Sequence, residues 1–355
     1  VTAIDAVAKR CMSRDVSELN TGWEDTLVPL GLTLAGGALH DEAMVSWARQ
    51  WADHHLDAQP TTRPETGFSG QHSGEDRQGI YLTTYCGDWG VAMALAALHR
   101  HEPDERLLDA VRLVADHILD GGLRLDDGTI AHGHWAPAPW VDTLYYAAAP
   151  LAWAYAVLGD RRYATEAVRQ CLLHARHLRD PLTGCFFHET DPATGVHTGS
   201  LWSRGNGWVA MSFADVLRHT AADTPGWSEL LELYRSLVTG LLRFQHPTGL
   251  WRITPDDDES HLETSGSTMI ATGIAVGLAE GWLNRSAATR VIRTWHEVVT
   301  WVDGAGAVRG CQTPAGRGGW ESHKRSGMGE RTYGNGAFLR LAAELRAAGL
   351  LGTTA

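Results

Sequence analysis

Three stretches decide how this chain is read: HDEAMVSWARQWADHHL at 40–56, PDERLLDAVRLVADHIL at 103–119 and DRRYATEAVRQCLLHARHL at 160–178. Each has an acidic or polar start, carries apolar residues at helical spacing along one face, and ends on a histidine followed by Leu or Ile. That spacing is the stripe of an amphipathic surface helix. An acid at the start and a cation at the end also suit the helix macrodipole. The closing histidines, His55, His117 and His177, are expected to be solvated or to cap their helices. Ahead of each stretch lies a second helix, apolar on most faces, at 27–37, 90–98 and 143–158.

The pattern continues along the chain. Amphipathic segments at 227–244 and 287–302 follow apolar ones at 207–217 and 268–282, and a last apolar helix at 337–348 closes the sequence without an evident partner. Strand-like alternation is scarce. The pairs recur at roughly 55–65 residues, too long and irregular for the common solenoids. No Pro/Ser-rich linker or charge block divides the chain. These features predict an all-α fold, an (α/α)6 barrel of six helical hairpins forming one domain over 1–355.

A polar, often glycine-containing turn precedes each apolar helix: TGWED at 21–25, YCGDWG at 85–90, PWVDT at 139–143, WSRGNGW at 202–208, ETSGS at 263–267 and TYGNG at 332–336. If the inner helices all start at one end, the six turns meet around one mouth. Ser, Asp and Asn there also suit ordinary helix caps, but capping does not account for Arg and Trp in the same turns.

Composition narrows the function. Forty-two acidic against 30 basic residues give a formal charge of −12. That argues against a cationic groove for nucleic acid or an anionic membrane, while leaving room for one basic pocket. No apolar run approaches the ~20 residues that span a bilayer. Five cysteines without a C-x-x-C pair suggest reduced thiols and a cytoplasmic address. Of the fifteen tryptophans, most are expected in the core, although such rings also suit the apolar faces of sugars.

Candidate chemistry gathers in the turns. Asp88 and Asp142, each flanked by aromatic residues and each heading an apolar helix, can divide into an acid and a base when burial and mutual repulsion raise one pKa. Asp142, among Trp140, Tyr145 and Trp89, is expected to be the raised one. His132, His134 and His188 lie nearby in sequence or expected space. The stretch LWSRGNGW adds Trp202, Arg204, Asn206 and Trp208, and Arg is the natural partner of a planar carboxylate. No ligand set reaches the standard of a metal site, and no P-loop, G-x-S-x-G or dinucleotide fingerprint is present. No metal or other cofactor is expected.

The segments 139–188 (PWVDTLYY…GCFFH), 201–217 (LWSRGNGWVAMSFADVL) and 262–278 (LETSGSTMIATGIAVGL) together resemble the unsaturated glycuronyl hydrolases of glycoside hydrolase families 88 and 105. The resemblance runs over about 23–341 and implies an (α/α)6 barrel, in agreement with the helix pattern. It implies hydration of the C4=C5 enol-ether bond of a terminal Δ4,5-unsaturated uronic acid on an oligosaccharide. Asp142 matches the catalytic aspartate and Asp88 the second one. His188 and His132 match the site histidines, and Trp202 and Arg204 line the sugar subsite, with Trp208 adding to that wall. The chain departs from the pattern at Gly334-Asn335-Gly336, where a His-Gly pair is expected, and over the Gly-rich 64–81. Other readings are a sugar epimerase using the histidine pair His132/His188, a zinc-dependent cyclase using Cys86, Cys311 and His323, and a carbohydrate-binding barrel without turnover.

Overall fold

The structure is a computed structural model that describes residues 2–60, 78–197, 200–314, 319–324 and 326–352. Most of the expected gly-rich stretch at 64–81 therefore lies outside the described residues. Six helices form an inner ring: α2 (Leu27–Leu39), α4 (Val91–His101), α6 (Val141–Leu158), α8 (Ser203–His219), α10 (Thr264–Ala279) and α13 (Thr332–Ala347). Each packs on the next, and α13 returns to α2, so the ring closes. Outside it lie α3 (Glu42–Leu56), α5 (Glu105–Gly121), α7 (Arg161–Leu178), α9 (Trp227–Phe244) and α11 (Ala288–Thr300), each against the inner helix before it. The short α12 (Gly319–Lys324) precedes α13. Strand structure among the described residues is confined to two antiparallel pairs, β1 (Trp251–Arg252) with β2 (Leu262–Glu263) and β3 (Cys311–Gln312) with β4 (Met328–Gly329). The fold is the expected (α/α)6 barrel.

The missing twelfth helix is α1 (Ala3–Met12), which packs on α13. Its capping box, with Thr2 and Asp5 exchanging hydrogen bonds, is the local signal of its start. The sixth hairpin is thus made of the two ends of the chain, which is why reading neighbours in sequence leaves the last inner helix unpaired.

Ring closure rests on glycine. A Cβ placed on Gly336 of α13 would stand 2.2 Å from the Leu27 carbonyl oxygen, and one on Gly31 of α2 would stand 2.4 Å from the Gly336 carbonyl oxygen. The two backbones approach as only glycine permits. Several polar turns read from the sequence are the first turns of helices: Ser203–Asn206, Thr264–Ser267 and Thr332–Asn335 are helical. α6, α8, α10 and α13 begin earlier than apolar periodicity indicates because their polar first turns face the mouth.

The three outer-helix histidines are not simply solvated. His55 is 1 % exposed, its Nε2 bonds the Leu19 carbonyl at 2.9 Å, and its Nδ1 accepts from Gly79 N. Burial lowers its pKa to about 4 despite the bond to Leu19. His117 Nε2 lies 2.6 Å from the Thr83 carbonyl and His177 Nε2 lies 2.7 Å from Asp127 Oδ2. Each histidine ties its helix end to a loop, a role that needs a partner remote in sequence.

A buried ion pair sits inside the ring. Arg340 and Asp215 are 1 % and 0 % exposed at the side chain, and Arg340 also donates to Tyr145 Oη at 3.0 Å. Removing one partner of such a pair leaves an uncompensated charge in a poorly polarisable interior. Asp215→Ala is expected to lower the unfolding free energy by about 3–5 kcal/mol, measured by urea denaturation. A loss below about 1 kcal/mol would be that of an ordinary surface pair and would show that Arg340 is not stranded.

Candidate active site

The inner helices start at one end of the ring, and extended segments stitch that end together. Val141 N donates to the His188 carbonyl at 3.0 Å, His188 N to the Ser200 carbonyl at 3.2 Å, and Ser203 N to the Ile253 carbonyl at 2.8 Å. These bonds bring the head of α6, the 185–190 segment and the head of α8 side by side. The side chains of Asp142, His188, Trp202 and Arg204 therefore meet in one cavity. Its remaining wall includes Trp23, Tyr85, His132, Trp140, Tyr146 and His323. The C-terminal ends of all six inner helices line a separate recess, so the six helices run the same way.

Aromatic rings fix the geometry. His132 stacks on Trp140 with centroids 4.1 Å apart and planes 15° apart, and its Nδ1 lies 3.0 Å from Thr143 Oγ1. His188 meets Trp140 at 4.7 Å and Trp202 at 4.9 Å, both edge-on. The Arg204 guanidinium lies 4.5 Å from the Trp202 ring centre and 5.1 Å from that of Tyr333, a cation–π arrangement. Arg204 Nη1 donates to the Gln312 carbonyl at 2.8 Å and Trp202 Nε1 to Gln312 Oε1 at 2.6 Å. One glutamine thus orients both residues of the W-x-R motif.

Several buried polar atoms of these cavity-lining side chains have no protein hydrogen-bond partner: Asp142 Oδ2, His188 Nδ1, Trp140 Nε1, Arg204 Nε and His323 Nε2. Buried polar groups are normally satisfied, so their convergence marks a place completed by a ligand or by water. Mixed aromatic walls with a cation and a carboxyl group suit a small acidic sugar.

The Asp142 carboxyl differs from expectation. Burial pushes its pKa up, but the attraction of His188, with His132 and Arg204 beyond it, outweighs burial and lowers the net value below 3.8. His188 Nε2 stands 3.6 Å from Asp142 Oδ2, an ion-pair distance too long for a good hydrogen bond. The correction arises because His188, His132 and Arg204 come from three other segments of the chain. Glu263, buried at the head of α10, moves the other way. Burial raises its pKa against the pull of Arg204 and the hydrogen bonds from Ser265 and Gly266.

Of the residues singled out from the sequence, Asp142, His132, His188, Trp202 and Arg204 line the cavity. Asp142 does not cap α6: the cap position is Trp140. Asp88 is 4 % exposed, its Oδ2 accepts from Thr83 Oγ1 at 2.7 Å, and its neighbour Gly87 lines the cavity. Asn206 and Trp208 are not brought to the cavity. Asn206 exchanges bonds with Phe186 N and O at 2.8 Å, pinning the 185–190 segment to α8. Trp208 stacks on Tyr145 at 5.0 Å in the core. Both face inward from α8, an orientation set by helix packing. Gln312, Tyr333 and Trp23 were missed as site residues, although Tyr333 and Trp23 stood in the quoted turns. Among the described residues no group of three or more His, Cys, Asp or Glu is placed to hold a metal ion.

The model for Glycosyl Hydrolase Family 88 matches residues 3–348. The unsaturated rhamnogalacturonyl hydrolase YesR of Bacillus subtilis (strain 168) is 25 % identical over 280 residues, which cover 77 % of this chain and 74 % of that protein. An unsaturated 3S-rhamnoglycuronyl hydrolase of Alteromonas sp. (strain LOR) is 26 % identical over 219 residues, 58 % of this chain and 50 % of its own length. Among solved structures, a family 105 glycoside hydrolase of C. acetobutylicum superposes with a TM-score of 0.82 at 18 % identity, covering 96 % of this chain and 98 % of the other. The unsaturated glucuronyl hydrolase of Bacillus sp. GL1 does so at 0.71 and 19 %, covering 97 % and 96 %. At these identities the structures speak for the fold.

The ring-stacked guanidinium generates a test. Arg204→Ala is expected to weaken binding of a glucuronate-containing disaccharide more than Arg204→Lys, and both should fall below the parent. An ammonium keeps the charge but not the planar fork or the stacking face. Isothermal titration decides it, and parental affinity in both variants would leave Arg204 as packing only.

Proposed function

The chain belongs to glycosyl hydrolase family 88, and from that premise we propose that it removes a terminal Δ4,5-unsaturated uronic acid from an oligosaccharide. The observation that carries this reading is the juxtaposition, in one aromatic-walled cavity, of a carboxyl group at Asp142 with the cation Arg204 and a set of unpaired buried polar atoms. The names of the relatives, hydrolases of unsaturated rhamnogalacturonyl and rhamnoglycuronyl substrates, support the substrate class. Five buried cysteines, none in a disulfide, are in keeping with a reducing, cytoplasmic setting.

Arg204 and His188 hold the substrate carboxylate, and Asp142 acts as general acid and base. Asp142 gives its proton to C4 as the C4=C5 electron pair forms the new C–H bond, which leaves positive charge shared between C5 and the ring oxygen. Water adds to C5 and returns a proton to Asp142, so the group ends as it began. The hemiketal opens, and the partner sugar leaves with a free hydroxyl. Asp88, held by Thr83, is the second carboxyl group near the same atoms.

Turnover should appear as loss of the enol-ether ultraviolet absorbance of lyase-generated disaccharides, with saturated counterparts nearly inert. Asp142→Asn should remove a general acid–base contribution of roughly 10²–10⁴-fold while circular dichroism stays parental. A folded Asp142→Asn protein that keeps more than about a tenth of the rate falls outside that range and would reject the assignment.

The lowered pKa of the free Asp142 carries its own consequence. An acid held below its usual range is ionised at working pH and has no proton to give. A substrate carboxylate settling beside Arg204 takes over that cation and adds a negative charge, and both changes raise the Asp142 pKa. Binding should therefore draw a proton from solution. Calorimetric titration of a saturated glucuronide near neutrality, in buffers of different ionisation enthalpy, should show net proton uptake that disappears in Asp142→Asn. Uptake that persists in that variant would place the proton on another group.

A further inference from the structure

His323 belongs to the cavity wall but has no part in the chemistry above. It sits on α12, 0 % exposed, and its ring stacks on Trp202 with centroids 4.7 Å and planes 13° apart. Its Nδ1 lies 3.2 Å from Ser200 Oγ. Its carbonyl accepts from Gln312 Nε2 at 3.3 Å, and the same amide nitrogen donates to Ser326 Oγ at 3.0 Å. Gln312 is also the residue that orients Trp202 and Arg204. The ring, the inner nitrogen and the backbone of His323 are all anchored. Its Nε2 alone is left, buried and without a partner, on a side chain that lines the cavity.

We propose that His323 is a specificity residue of this site, its Nε2 pairing with a hydroxyl of the bound sugar next to the carboxylate held by Arg204 and His188. The proposal rests on the reading of the cavity as an acidic-sugar site and deepens it. Burial, with His188 and Arg204 nearby, lowers the His323 pKa to about 2, so the imidazole is neutral at any working pH. A neutral imidazole has one donor and one acceptor nitrogen. A hydroxyl both donates and accepts, so it completes Nε2 whichever tautomer the contact with Ser200 selects, whereas a carboxylate oxygen could serve only one. The carboxylate already has the better partner in the guanidinium. An unmet buried nitrogen is unfavourable, so a sugar that supplies the hydroxyl is preferred over one that lacks it.

Two substitutions separate recognition from packing. His323→Phe keeps a flat ring against Trp202 and loses both nitrogens. His323→Gln loses the stack but carries an amide with the reach of Nε2. KM and kcat are measured on an unsaturated uronyl disaccharide beside the parent enzyme, with circular dichroism of each variant. His323→Phe is expected to raise KM about tenfold, the worth of one hydrogen bond, with kcat changed by less than about threefold, the pattern of a contact made equally in ground and transition states. His323→Gln should recover part of the loss. A folded His323→Phe enzyme with parental KM, or a folded His323→Gln enzyme no better than Phe, overturns the proposal while leaving the hydrolase reading intact. A parent enzyme that consumes no unsaturated uronide overturns both.

Discussion

The contact between Gly31 and Gly336 closes this molecule. A methyl group on either would press into main-chain atoms of the facing helix, so the first and last inner helices can meet only through bare backbone. The consequence reaches the site. Once α13 lies against α2, Tyr333 at its head stacks on Trp23 at 5.2 Å, and the same ring covers one side of Arg204. The basic element of the cavity is thus partly built by the joining of the chain's two ends. Ring closure and the setting of Arg204 share the same residue, Tyr333.

Two arginines show how differently the barrel treats a buried cation. Arg340, inside the ring, is neutralised by Asp215, and its charge is spent on the fold. Arg204, at the mouth, is held by two aromatic faces and by Gln312. The neighbouring acid, Glu263, turns its oxygens to the amides of Ser265 and Gly266 and caps α10. Rings and neutral acceptors stabilise a guanidinium without matching its charge, so Arg204 keeps an attraction for an incoming anion. His188, with His132 and Arg204 beyond it, lowers the Asp142 pKa against burial. On the proposed function, a carboxylate ligand settling beside Arg204 raises the Asp142 pKa, which ties binding of the acidic group to the protonation of Asp142.

Gln312 and the histidines extend this logic beyond the motif residues. Gln312 holds Trp202, Arg204 and the backbone of α12 with one side chain and its own carbonyl. His55, His117 and His177 fasten outer helices to loops by bonds to carbonyls or a carboxylate far along the chain. All of them are polar side chains whose meaning lies in the partner.

The helical pairs and their inner or outer rank are determined by the sequence alone, because burial is written as periodicity: a stripe for a helix with one dry face, an unbroken apolar run for a helix dry all round. Trp202, Arg204, His188 and Asp142 are legible too, since charged and aromatic residues crowd turns where capping needs neither. The bond networks belong to the tertiary structure. Asn206 reads as a ligand contact and turns out to pin a loop, because which way a first-turn side chain points depends on the helix packed against it. Asp88 reads as the twin of Asp142, and its bond to Thr83 belongs to the fold. His323 and Gln312 carry no local pattern at all, since their partners Ser200, Trp202 and Arg204 lie more than a hundred residues away. The direction of the Asp142 pKa could not be read from its aromatic neighbours in sequence. It is a sum of burial against charges at His188, His132 and Arg204, and only the folded ring brings those charges within reach.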